Sequence, residues 1–129
     1  MHGTQVTRGV YLLIALMVCV KPSGTQGTAK RISCDTDAPS TNCDFGHVCW
    51  VTCPETCATD LKLYGTETYT YDSAICIAAI HDLRLSPWNR THRTVAFQRD
   101  GDAGNYRGSW RNGIKTYRYG GVQRSYKLC

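Results

Sequence analysis

Residues 74–80 carry an apolar side chain at every position. A helix that is apolar on all faces is a buried one, so this stretch predicts a single buried helix. Asp72 can serve as its N-cap, and Tyr71 can pack against the first turn. The pattern therefore places one helix in the interior of the domain.

Segments in which apolar and polar residues alternate precede and follow this helix and predict β-strands. One lies at residues 47–51, and residues 60–71 contain a strand, a turn around Gly65 and the approach to the next element. After residue 82, four short segments rich in Tyr, Val, Phe and Trp are separated by glycine turns, and Asn112-Gly113 is the clearest hairpin signal. We expect an α+β domain in which several short antiparallel strands cover a central helix.

The N-terminal pattern is different, because Arg8 precedes an apolar run at residues 10–20 and small or polar residues follow. This order is typical of a secretory signal peptide. The run is too short to cross a bilayer, which takes about 20 residues in a helix. We predict a signal peptide at residues 1–27, a single domain at residues 28–129, and a secreted, extracellular product without a membrane span.

Eight cysteines are present, and the predicted leader contains Cys19, so seven remain in the domain. At this density in a small secreted chain they predict a disulfide framework. The odd count leaves one cysteine over. Cys129, the last residue, is the natural candidate for a free thiol or for a disulfide-linked dimer.

Charge is distributed unevenly, although the net charge of +5 is modest. Residues 28–82 hold 3 basic and 8 acidic groups, whereas residues 83–129 hold 10 basic and 2 acidic groups. The two halves can neutralise each other in the fold, or the second half can present a basic face to a polyanion. The sequence leaves both interpretations open.

Cys76 and His81 lie five residues apart on the predicted helix. Five residues turn the helix by about 500°, so the two side chains point roughly 140° apart and form no catalytic pair. The apolar neighbours of Cys76 also differ from the electropositive, exposed setting that a reactive thiol needs. We expect Cys76 to be a half-cystine and His81 to be a helix-end residue that the helix dipole favours when charged.

A second cluster could bind metal, since His47, Cys49, Cys53 and Cys57 follow one another closely. Structural zinc sites usually need two ligand pairs separated by a longer segment, and here the second pair is missing. We predict no metal and no cofactor. A nucleophile elbow and a zincin helix are also missing, so we expect no enzymatic activity.

The motif C-P-x-x-C at residues 53–57 is followed by I-C-x-A-A-x-H at residues 75–81. Tyr106, Ser109 and the triplet N-G-I at residues 112–114 come later. Together these residues resemble the LCCL domain family, which is named from Limulus factor C, cochlin and the late-gestation lung protein. The resemblance extends from about residue 34 to about residue 126.

The resemblance implies a central helix wrapped by β-strands and two disulfides, Cys34–Cys53 and Cys57–Cys76. Cys43 and Cys49 are additional to the family pattern and close enough in sequence to pair with each other. Family members usually continue past the histidine with glycines, which residues 82–95 of this chain lack. The loop after the helix must therefore be built differently.

Basic and aromatic residues alternate in the second half of the domain. Arginine side chains suit sulfate and phosphate groups, and aromatic rings can stack on sugars, but the same pattern also describes a solvated strand with tyrosines in the core. A sequon at Asn89 predicts N-glycosylation. The candidate ligand-binding residues are Arg107, Arg111, Lys115, Arg118, Arg124 and Trp110.

We therefore expect a secreted, non-enzymatic recognition or adhesion module with a role in innate immunity or the extracellular matrix. Its expected ligands are polyanions, either a microbial surface polymer such as lipopolysaccharide or a sulfated glycan. The alternative is a structural module with a protein partner, including a dimer linked through Cys129. Nucleic acid is not expected, because the chain is secreted and has no recognised binding motif.

Overall fold

The computed structural model describes residues 29–58, 60–85 and 93–129. Within these residues the chain is α+β, with one α-helix and eight β-strands. The elements are β1 Lys30–Arg31, β2 Val48–Thr52, β3 Gly65–Thr66, β4 Thr68–Thr70, α1 Ile75–His81, β5 Thr94–Ala103, β6 Trp110–Arg111, β7 Ile114–Lys115 and β8 Gln123–Leu128.

Six of these strands form one mixed sheet in the order β1-β2-β5-β8-β4-β3. The β1–β2 pairing is parallel and the other pairings are antiparallel. The strands β6 and β7 form a separate two-stranded hairpin. The α+β class is thus confirmed, whereas the finer expectation of strands wrapping the helix stays a prediction.

The strand β5 is longer than the sequence suggested. Its first half pairs with β2, from Thr94 opposite Thr52 to Gln98 opposite Val48, and its second half pairs with β8 as far as Ala103. Side chains of residues 95–97 are all buried. A strand that has neighbours on both edges and buried side chains on both faces serves as the centre of the sheet.

The predicted helix is confirmed, and all seven of its residues are buried. Its N-cap is Ala74, not Asp72 as predicted, and no side chain caps it. Asp72 lies in a turn closed by the Ser73 amide, which donates to the Thr70 carbonyl at 2.9 Å. The first helical amide, Ile75 N–H, instead donates to the Thr36 carbonyl at 2.9 Å, so the N-terminal loop caps the helix.

Two residues after the last helical residue, the backbone adopts an unusual geometry. Leu83 has φ +57° and is 62% exposed, and its amide donates to the Ile80 carbonyl at 3.0 Å. Helices commonly end with a glycine in this left-handed conformation, which costs other residues about 1 kcal/mol. Leu83 therefore terminates the helix where a glycine would be favoured.

The predicted Asn112-Gly113 turn is confirmed between β6 and β7. Asn112 has φ +53° and Gly113 has φ +79°. Positive φ at both central residues is the geometry of the tight hairpin turns that asparagine and glycine favour. The amide of the Asn112 side chain also donates to the His81 carbonyl at 2.9 Å, so the turn is fastened to the end of the helix.

Three disulfides join the described residues, but two of them differ from the pairing that the family resemblance implied. The bonds are Cys34–Cys57, Cys53–Cys76 and Cys43–Cys49, so only the local pair is confirmed. Cys53 lies two residues beyond buried Val51, and alternation along an extended chain turns both side chains to the helix side. Cys53 is thereby placed to bond with Cys76 on the helix, and Cys57 bonds with Cys34.

Cys129 is also disulfide-bonded, and no cysteine in the described part of the chain is free. The expectation of a free thiol at Cys129 is therefore wrong for this structure, while a disulfide-linked dimer stays a prediction. Asn89 lies outside the described residues. No helix in residues 29–58, 60–85 and 93–129 is long and apolar enough to span a membrane.

Candidate functional site

A buried hydrogen-bond network surrounds the end of the helix. The His81 side chain has no solvent exposure. Its Nδ1 lies 2.8 Å from the Tyr69 hydroxyl and its Nε2 lies 3.0 Å from the Ser109 hydroxyl. The Ser109 hydroxyl also lies 2.7 Å from the hydroxyl of Thr66, which donates to the Arg107 carbonyl at 2.8 Å.

The hydrogen bond from Thr66 to the Arg107 carbonyl fixes which group donates and which accepts in every other hydrogen bond of this network. The Thr66 hydroxyl uses its proton on the Arg107 carbonyl, so it accepts from Ser109. The Ser109 hydroxyl therefore accepts from His81 Nε2–H, and His81 Nδ1 accepts from the Tyr69 hydroxyl. A serine nucleophile needs a histidine nitrogen that accepts its proton, whereas here the histidine donates to the serine.

Burial lowers the pKa of His81, and the positive charge of Arg111 lowers it further, although the negative charge of Asp82 and a hydrogen bond with the Ser109 backbone oppose the shift. Burial likewise raises the pKa of Tyr69. His81 is the last residue of the helix, as predicted, and burial disfavours its charged form. Both groups are held in the protonation state that the network needs.

Two of the predicted basic residues have acidic neighbours. Arg111 pairs across the hairpin with buried Ile114, and its guanidinium lies 3.6 Å from the Glu67 carboxylate. Arg124 is exposed and stands opposite Asp102 in the β5–β8 pairing. Each of these two arginines thus has an acidic neighbour, which reduces what it can offer to an anionic ligand.

Arg107 and Arg118 lie close together instead. The backbone of Tyr106 pairs with that of Tyr119 in an antiparallel bridge, and the two arginines are the adjoining residues inside it. Both arginines are exposed, and neither forms an ion pair within the described residues. They make one compact cationic position on the surface.

Trp110 and Lys115 form a second exposed position, since they face each other across the hairpin. Lys115 Nζ lies 5.3 Å from the ring centroid of Tyr117, and Lys62 Nζ lies 5.6 Å from the same centroid. Lys62 and Tyr117 were absent from the sequence-based candidate set. Lys62 belongs to the acidic half of the chain, and only a long-range backbone pairing brings it to this surface.

A pocket of about 420 Å³ opens elsewhere, where β1 and β2 meet the start of β5. It is lined by Arg31, Thr52, Glu55 and Arg93, among others. The Arg93 side chain is almost fully buried and its Nε–H donates to the Pro54 carbonyl at 2.7 Å. Because Arg93 is engaged and Glu55 adds a negative charge, this pocket is a weaker candidate for an anionic ligand than the exposed cations.

The cysteine and histidine cluster considered for metal is used differently. Cys49, Cys53 and Cys57 belong to three separate disulfides and carry no thiolate. No group of three or more potential metal ligands occurs among residues 29–58, 60–85 and 93–129. These cysteines therefore serve as covalent cross-links.

The fold and these sites describe a small, disulfide-linked module with exposed cations and a buried polar network. The LCCL domain family model matches residues 25–126. The match covers most of the chain, so this protein belongs to the LCCL family, whose domains are extracellular modules. No individual curated protein matches the chain.

Proposed function

We propose that this chain is a secreted, non-enzymatic recognition module that binds polyanionic ligands. The proposed ligand classes are lipopolysaccharide and sulfated glycans, and the proposed setting is innate immunity or the extracellular matrix. The observation that supports this most is the charge of residues 103–129, which include no acidic residue. Their six basic residues are Arg107, Arg111, Lys115, Arg118, Arg124 and Lys127.

Exposure supports the same proposal. Arg107, Lys115 and Arg118 are exposed, so their charges are available to a ligand without unfolding the domain, and Arg124 is exposed opposite Asp102. Guanidinium groups donate paired hydrogen bonds that match sulfate and phosphate. The donor role of His81 toward Ser109 supports the non-enzymatic part of the proposal.

The test is a titration of the disulfide-bonded, secreted protein with heparin and with lipopolysaccharide at low and high salt. We expect binding that weakens as salt rises, because exposed charges are screened. The triple variant Arg107→Gln/Arg118→Gln/Arg124→Gln should bind about tenfold more weakly, which corresponds to a modest contribution from each contact.

A matched control removes three exposed positive charges that lie outside residues 103–129. The variant Lys30→Gln/Arg31→Gln/Arg84→Gln has the same change in net charge, and all three residues are exposed. It should bind like the wild type. Equal losses in both triple variants would show that only net charge matters, and absence of binding by the wild type would refute the proposal.

The alternative is a structural module with a protein partner, including a dimer linked through Cys129. It has less support, because Cys129 is disulfide-bonded in this structure. Non-reducing electrophoresis of the secreted protein decides the covalent form of this alternative: a band at twice the monomer mass that disappears on reduction would favour it.

A further inference from the structure

Two segments that are distant in sequence run side by side at the surface next to the hairpin. The Tyr117 amide donates to the Leu63 carbonyl at 2.7 Å, and the Gly65 amide donates to the Tyr117 carbonyl at 3.2 Å. These bonds form a parallel bridge between Tyr64 and Tyr117. The bridge aligns residues 62–64 with residues 115–117.

Alternation along these segments separates an inner from an outer face. Leu63 and Thr116 are fully or almost fully buried, so they point inward. Their neighbours in the chain point the other way, because successive side chains of an extended segment alternate. The outward residues are Lys62, Tyr64, Lys115 and Tyr117, and Trp110 joins them from across the hairpin. We call these five residues the tyrosine platform.

The aromatic part of the platform is open to solvent. Trp110 is 70% exposed and Tyr117 is 39% exposed. The ring of Tyr117 packs beside that of Tyr64, whose centroid lies 6.3 Å away. A supported ring that keeps one part open presents a flat, amphipathic surface to a ligand at small entropic cost.

The cationic part of the platform consists of two exposed lysines. Lys62 and Lys115 are exposed, and both ammonium groups lie within 5.6 Å of the Tyr117 ring centroid. Neither lysine forms an ion pair within the described residues. The nearby Glu67 carboxylate is paired with Arg111. Because both ammonium groups lie near one ring, an anionic group bound beside that ring would be attracted by two positive charges.

From this arrangement we propose that the tyrosine platform binds an acidic sugar unit of an extracellular polysaccharide, one that carries a sulfate, phosphate or carboxylate group. The sugar ring lies against Trp110 and Tyr117, and its anionic group lies between Lys62 and Lys115. The inference rests on the proposed function and deepens it by naming a site that differs from the arginine position at Arg107 and Arg118.

A sugar suits this surface better than a purely electrostatic ligand does. The aromatic rings are exposed beside the charges, so a ligand that only carried charge would leave their apolar faces in water. The carbon–hydrogen face of a sugar ring covers them, while its substituents reach the ammonium groups. Binding should therefore contain a contribution that salt does not screen.

The test compares two variants with two controls in titrations of a size-defined heparin octasaccharide at low and high salt. Trp110→Ala should weaken binding about fivefold at both salt concentrations, since stacking is not screened. Lys62→Gln/Lys115→Gln should weaken it about tenfold at low salt and less at high salt. The controls Phe45→Ala, which removes another exposed aromatic ring, and Lys30→Gln/Arg31→Gln should bind within about twofold of the wild type.

A second measurement reports contact directly. Trp110→Phe should keep most of the affinity but lose the change in tryptophan fluorescence that the octasaccharide causes in the wild type. Repeating the titrations with lipopolysaccharide and with its deacylated form distinguishes sugar from lipid as the source of the anion. Loss of the platform effects on deacylation would overturn the sugar assignment.

The outcomes for the platform and for the proposed function are separate. If the wild type binds and the arginine triple variant loses binding while all platform variants bind normally, the platform is refuted and the proposed function stands. If the wild type binds neither heparin nor lipopolysaccharide, both fall.

Discussion

The two faces of the segments at residues 62–64 and 115–117 satisfy their polar groups in opposite ways. On the inner side, Tyr69, His81 and Ser109 form a chain of hydrogen bonds in which every ring nitrogen and hydroxyl has a partner. On the outer side, two lysines lie near an aromatic ring and form no ion pair with any residue that the structure describes. The same backbone pairing thus supports a closed network inside and an open set of donors outside. Polar groups without a protein partner cost little free energy only where water can hydrogen-bond to them. The solvent-exposed side is therefore where a ligand can form new hydrogen bonds.

The largest expected effects on the free energy of unfolding come from the two disulfides that close the longer loops, one buried and one half-buried. Both close loops with a sequence separation of 23, so chain entropy predicts the same stabilisation of about 3 kcal/mol for each. Cys53 and Cys76 are buried, whereas Cys34 and Cys57 are half-buried. We expect Cys53→Ala/Cys76→Ala to lower the free energy of unfolding by about 1 kcal/mol more than Cys34→Ala/Cys57→Ala does, because it also leaves a cavity. Denaturant titration measures both, and equal losses would show that burial adds nothing.

Two tyrosines provide the next comparison, since each loses only its hydroxyl on mutation to phenylalanine. Tyr69→Phe removes the donor to His81 and leaves a buried nitrogen without a partner, so it should cost about 1–2 kcal/mol. Tyr117→Phe should change stability by less than about 0.5 kcal/mol, because Tyr117 is exposed. Thermal and denaturant unfolding test this pair of values. Similar costs for the two variants would contradict the assignment of Tyr69 to a closed network.

The buried histidine should make the domain less stable in acid. Burial and Arg111 lower the pKa of His81 in the folded state below its ordinary value near 6.5. As pH falls through that value the unfolded chain binds a proton that the folded chain does not, so the free energy of unfolding decreases. We expect this decrease to begin as the pH falls through about 6.5, at a rate of at most about 1.4 kcal/mol per pH unit. His81→Gln should flatten the dependence, and His47→Gln, at an exposed histidine, should not.

If His81→Gln does not fold, proton NMR of the wild type replaces it. The His81 ring signals should titrate below the ordinary histidine range. Titration at or above the ordinary value would contradict the donor and acceptor roles assigned to its two nitrogens.

The smallest expected effect is at the end of the helix, where Leu83 adopts φ +57°. Leu83→Gly removes a steric cost of about 1 kcal/mol but gives the unfolded chain more freedom, so the net gain in stability should be about 0.5 kcal/mol. Leu83→Ala keeps the unfavourable geometry and should give no gain. A gain from alanine as large as that from glycine would show that removal of the exposed leucine side chain, and not backbone geometry, is responsible.

Patterns that depend on neighbouring residues could be predicted from the sequence. The buried helix, the strand near residues 48–52, the Asn112-Gly113 turn and the Cys43–Cys49 bond all follow from local periodicity or short separation. The N-cap was wrong because the Thr36 carbonyl, which is distant in sequence, satisfies the first helical amide and leaves Asp72 to a turn.

The candidate site was harder to predict, because its residues come together through long-range pairing. Lys62 reaches Tyr117 only through the bridge of Tyr64 with Tyr117, which no local pattern indicates. Alternation along an extended segment does place Lys115 and Tyr117, which are two residues apart, on one face. Alternation could not show that Arg111 lies beside Glu67, because that contact joins two segments that are distant in sequence.

The order of the half-cystines has a consequence for limited proteolysis. Cys34–Cys57 and Cys53–Cys76 overlap along the chain, so the stretch between Cys53 and Cys57 belongs to both loops. A single cut anywhere between residues 34 and 76 therefore leaves two fragments that are still covalently joined. Cleavage after exposed Glu55 would release no fragment until the protein was reduced, whereas the sequential pairing Cys34–Cys53 and Cys57–Cys76 would leave that cut unbridged. The overlap makes this part of the domain tolerant of a nick by an extracellular protease.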